Sequence, residues 1–139
     1  MVRRLFISTI VGTIVYFLFG WFIFEFILGN YTNHNTIQLE GFKKTGGQYS
    51  LVLLIVSCAA YAVLMSFILV YLINIKTLLK SFFIGSTIGI LVAIMADTYW
   101  YATSNFYSNF TVVIFDVFGA GISVGIMSLA ISFANKKLG

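Results

Sequence analysis

The sequence predicts an all-α, polytopic membrane protein: four transmembrane helices in an up-down bundle, with both termini in the cytoplasm. Three observations predict it. Apolar residues make up 60% of the chain and charged residues 9%, where a soluble domain carries roughly a quarter charged; the mean hydropathy is +1.03. Four apolar runs, each long enough to cross a bilayer at about 20 residues, are separated by polar connections. The basic residues stand in pairs at the ends of those runs, not in a groove for phosphates. A chain of 139 residues fits one domain.

The first span covers 5–28. Arg3 and Arg4 precede it as in a signal peptide, but the apolar run continues to Leu28 with no A-x-A-like cleavage site, so it reads as a retained anchor. The external loop 29–50 is rich in Gly, Asn and Thr; of two readings, a mobile cover or a simple connector, its single His and lack of catalytic spacing favour the connector. The second span, 51–73, holds the only cysteine, Cys58, which packs as a small hydrophobe. A turn with Lys76 and Lys80 leads to the third span, 82–102, and an uncharged hairpin leads to the fourth, 111–134. No proline interrupts these runs. Backbone groups without water must bond internally, so the spans read as helices. Arg3, Arg4, Lys76, Lys80, Lys136 and Lys137 fall on the side of the termini and only Lys43 and Lys44 opposite them. That asymmetry places the termini in the cytoplasm.

Three of the four acids lie near the external boundary. Asp97 and Asp116 are each about five residues inside it, a depth of ~7–8 Å, and Glu25 is roughly 5 Å deep on the same rise. Ionisable groups in a membrane are expensive and mark function. Every fourth residue of the third span reads Ser81, Gly85, Gly89, Ala93, Asp97, a small-residue row that lets another helix approach closely. Asp116 shares a face with Gly119, Ala120 and Ser123. Both aspartates therefore point into the bundle. In one reading they are solvated or hydrogen-bonded to neighbouring Thr, Tyr and Trp groups. In the other they form an acidic vestibule, where close carboxylates hold a proton or a cation because they cannot both ionise cheaply. Glu25 is its weaker third member, near enough to the boundary to snorkel outward. His34 would add a nitrogen ligand to a metal, although a lone loop histidine is ordinarily solvated.

The remaining features read as structure. Trp21, Tyr99, Trp100, Tyr101, Phe106 and Tyr107 form an interfacial aromatic belt. Gly85, Gly89, Ala93, Gly121 and Gly125 are helix-packing residues, and the Gly85/Gly89 and Gly121/Gly125 pairs have the spacing of dimer faces. Asn30 and Asn109 match the glycosylation triplet, which is common by chance.

The stretches "GTIVYFLFGWFIFEF", "ADTYWYATSNFYSNFT" and "VIFDVFGAGISVGI" resemble a family of small four-helix bacterial membrane proteins, of Bacteroidetes type, whose function is unknown. The resemblance implies acids at the positions of Asp97 and Asp116, a Gly-rich fourth helix and a bacterial cytoplasmic membrane. It implies no activity. The expected function is accessory: a bundle that associates with itself or a larger membrane complex through its small-residue faces. The alternative is the outward-facing vestibule, binding a proton, metal ion or organic cation as a small transporter or sensor. An enzyme is not expected, since no nucleophile–base pairing, metal-ligand spacing or phosphate loop occurs. No cofactor is implied. The expected partners are the lipid bilayer and further protein subunits, not nucleic acid.

Overall fold

The computed structural model describes residues 1–44, 46–48 and 50–139; Thr45 and Tyr49 of the expected external loop lie outside the described residues. Helix α1 (Val2–Trp21) runs on into a π-helical segment (Phe22–Ile27), followed by the short α2 (Gly29–His34) and a 3-10 turn (Gly46–Gln48). Then come α3 (Leu51–Ser66) with its own π-helical segment (Phe67–Leu72), α4 (Leu78–Thr103) and α5 (Phe110–Leu138). Four stretches, Val2–Ile27, Leu51–Leu72, Leu78–Thr103 and Phe110–Leu138, are long and apolar enough to cross a membrane.

Local chemistry sets the ends. Ser50 caps α3, its hydroxyl accepting from the Leu53 amide at 3.4 Å, and Asn109 caps α5 by accepting from the Val112 amide at 3.2 Å. The second span stops where Asn74 turns left-handed at φ 49°, a conformation asparagine tolerates better than most residues. Helices α4 and α5 overrun the expected 82–102 and 111–134. Lys80 continues the helix because its charged head can reach water along its stem. Lys136 and Lys137 occupy the last turn of α5, where cations suit the helix dipole.

Helix α5 is the hub. It packs against α4 on one side and α1 on the other, while α3 packs on α1 and touches α5 mainly through its π-helical segment. The up-down order holds, and both ends of the chain meet, Gly139 lying against Arg4. The bundle is not closed, because α4 leans chiefly on α5 and makes no substantial face with α3. Ala62, Met65, Leu69, Val70, Ile75, Val124, Met127 and Ile131 form the apolar core.

The glycines explain the tightness of the α4–α5 seam. A Cβ on Gly89 would stand 2.8 Å from the Ala120 carbonyl, and one on Gly85 would stand 2.8 Å from that of Val124. From the other side, a Cβ on Gly121 would meet Ile90 at 2.7 Å and one on Gly125 would meet Phe82 at 2.7 Å. These residues, with buried Ala93, do pack helices, but the helices are two of the same chain. The expectation that the two glycine pairs offer dimer faces is corrected, because each pair is already covered by the other.

Candidate functional site

That seam determines where the acids go. Gly89 packs against Val124. Steps of one turn from this contact pair Ala93 with Ala120 and then Asp97 with Asp116, since antiparallel helices advance in opposite directions by about four residues. Both carboxyls thus reach the same height, six residues from Thr103 at the end of α4 and six from Phe110 at the start of α5. On the helical rise this is ~9 Å from the hairpin.

Asp97 is 7% exposed. Its Oδ1 accepts a hydrogen bond of 3.1 Å from the Tyr107 hydroxyl. Its Oδ2 is buried with no donor among the described residues, and an unpaired buried oxygen on a charged group is costly. Asp116, partly buried, lies within hydrogen-bonding reach of the Asp97 carboxyl. A carboxyl can serve another as donor only while it carries a proton. The geometry is therefore that of two carboxyls that can bond to each other only when one of them is protonated.

A cover closes over the pair from the first loop. The Ile37 amide donates to the Phe106 carbonyl at 2.9 Å and the Ser108 amide to the Asn35 carbonyl at 2.9 Å, enclosing an isolated antiparallel bridge between Thr36 and Tyr107. The Ser108 hydroxyl adds a bond to the same Asn35 carbonyl at 2.7 Å, and the Asn109 amide donates to Asn35 Oδ1 at 2.7 Å. Asn35 is itself held by its side-chain bond to the Tyr31 carbonyl, and Tyr31 meets Phe115 edge to face at 5.2 Å. The segment is thus more than the connector favoured from sequence: it is a strap that fixes the backbone of Tyr107. The Tyr107 phenol lies outside the spans and is held above its usual ionisation range, first by burial and then by the charges of Asp97 and Asp116.

Of the residues singled out in the sequence, Asp97 and Asp116 come together. Glu25 does not join them; it is exposed on the π-helical segment that ends the first span. His34 is also exposed, with Nδ1 2.6 Å from the Asn30 carbonyl at the end of α2. No group of three metal-ligating side chains occurs among the described residues, so neither Glu25 nor His34 adds a ligand. The reading in which an aspartate bonds a neighbouring tyrosine holds for Asp97 and Tyr107, although the sequence did not single Tyr107 out from Tyr99 and Tyr101. Asn35 is the member that sequence reasoning missed, because its partners Ser108 and Asn109 lie far away in the chain. No family model, curated protein or solved structure matches the chain, so the resemblance drawn from its sequence gains no support from them, and what bears on function is the geometry of the carboxyl pair.

Proposed function

We propose that this chain is a multi-pass protein of a bacterial cytoplasmic membrane, with cytoplasmic termini, whose Asp97–Asp116 pair binds a proton just beneath the external face. The observation that carries the reading is the buried, donorless Oδ2 of Asp97 beside a second carboxyl. Two negative charges facing each other repel strongly in a dehydrated seam, and one shared proton removes the repulsion and gives Oδ2 a partner. A metal ion would want more ligands than two carboxylates and a phenol supply. An accessory role through the glycine faces is the weaker proposal, because those faces are spent on the α4–α5 seam.

Infrared spectroscopy of the protein in lipid nanodiscs tests this directly. The native chain should show the C=O stretch of a protonated, buried carboxyl at neutral pH. The band should disappear in Asp97→Asn combined with Asp116→Asn, and should shift on Tyr107→Phe. A native spectrum with every carboxyl ionised at neutral pH would refute the proposal.

A further inference from the structure

Elsewhere in the molecule, a second polar group is buried with unmet bonding capacity at the opposite end of the bundle. A Cβ on Gly12 would meet Ile131 at 2.8 Å and Ala62 at 3.4 Å, so α1, α5 and α3 meet in one layer at these residues. One turn nearer the termini, the same three faces present Ser8, Asn135 and Ser66. Each follows its layer partner by four residues in the direction that its helix runs toward that end. All three are 0% exposed. Ser8 Oγ, Ser66 Oγ and Asn135 Oδ1 have no hydrogen-bond partner among the described residues. The amide nitrogen of Asn135 is committed, donating to the Ile75 carbonyl at 3.3 Å and to Asn74 Oδ1 at 3.5 Å, which leaves Oδ1 to face the junction. Farther in, the Tyr61 hydroxyl is also buried and unpaired.

Other buried serines behave differently. Ser123 and Ser128 donate to the carbonyls of Gly119 and Val124, at 2.8 and 2.7 Å, the ordinary resolution for a hydroxyl inside a membrane helix. Ser8 and Ser66 make no such bond, so both their donor and their acceptor capacity is unused. A monovalent cation would satisfy only the lone pairs and leave the hydroxyl hydrogens stranded. Water, which donates and accepts, satisfies both and can also donate to Asn135 Oδ1. Ser86 and Ser132, also unpartnered, belong by register to the α4–α5 seam and not to this layer.

There is a way in. One further turn toward the termini, Arg4, Val70 and Asn74 line a cavity of about 140 Å³ together with Met1 and Tyr71, space for several waters. Arg4 and Val70 stand one turn outside Ser8 and Ser66, and Asn74 is the residue to which Asn135 bonds. We propose that water enters the bundle from the end bearing the termini, through the Arg4–Val70–Asn74 cavity, and is held by Ser8, Ser66 and Asn135 as a hydrated inlet. The inlet is independent of whether the carboxyl pair holds a proton.

Water-edited solid-state NMR of the full chain, carbon-labelled at serine and reconstituted in bilayers, tests it. Water magnetisation should reach the Ser8 and Ser66 side chains nearly as fast as exposed Ser108 and several-fold faster than Ser123 and Ser128. Build-up at Ser8 and Ser66 as slow as at Ser123 and Ser128 would overturn the inlet. The sign of a stability change gives a second measurement. If water bridges the layer, Ser66→Ala lowers the melting temperature by several degrees, because the water loses a partner. If the layer is dry, the same substitution removes an unpaired hydroxyl and raises it, which would count against the proposal.

Discussion

At the level of single residues, Tyr107 links the strap to the acid pair. Its phenol donates to Asp97 Oδ1, so Tyr107→Phe leaves a second oxygen of that carboxyl without a donor and should cost ~1–3 kcal/mol. The pH dependence has a definite sign. Because the phenol ionises later in the folded protein than in the unfolded chain, its contribution is complete below the ordinary phenol range near pH ~10. It is lost as pH climbs toward the folded value. The stability gap between the native chain and Tyr107→Phe should therefore be constant around neutrality and narrow above pH ~10, as followed by thermal unfolding in detergent. The sequence makes Asp97 and Asp116 conspicuous because charges in apolar runs are rare and period-four rows show which way they point. It offers a tyrosine as a partner without choosing Tyr107 among its neighbours, and it leaves Asn35 silent, because the strap is a backbone bridge between segments remote in the chain and a lone bridge leaves no periodic trace. Glu25 stands out for its charge alone, and charge without a small-residue row beneath it gives no direction.

Among the elements, the α4–α5 pair carries the site. Its seam is set by backbone approach, and Gly89 tests that, because the obstacles to a side chain there include the Ala120 carbonyl, which is not a movable side-chain tip. Gly89→Ala should destabilise the protein by ~1–3 kcal/mol through overpacking. It should also weaken the protonated-carboxyl band of the native protein, since separating the helices separates Asp97 from Asp116. Gly20, whose Cβ would meet nothing within 4 Å, is the control: Gly20→Ala should be neutral or slightly stabilising, as expected for a helix interior. The spans themselves were readable within a few residues, since length and hydropathy fix them. Their partners were not. Spacing says that Gly85, Gly89, Gly121 and Gly125 want a close neighbour, but a sequence does not say whether that neighbour belongs to the same chain.

For the whole molecule, the hub position of α5 and the strap from the first loop tie the beginning of the chain to its end. Both termini lie on one side of the bundle, with Gly139 against Arg4. The basic residues gathered there predict that this side is cytoplasmic. Single cysteines placed at Val2 and Leu138 in a Cys58→Ala background should resist an impermeant thiol reagent in intact cells and react after the membrane is opened. A cysteine at Lys43 should react in both cases, and the reverse pattern would invert the topology. The hub has a consequence for biogenesis as well. Helix α1 leaves the ribosome before α5, its main neighbour, has been made. The contacts of α1 with α3 can form earlier, but the acid pair, which needs Asp116, cannot form until α5 exists.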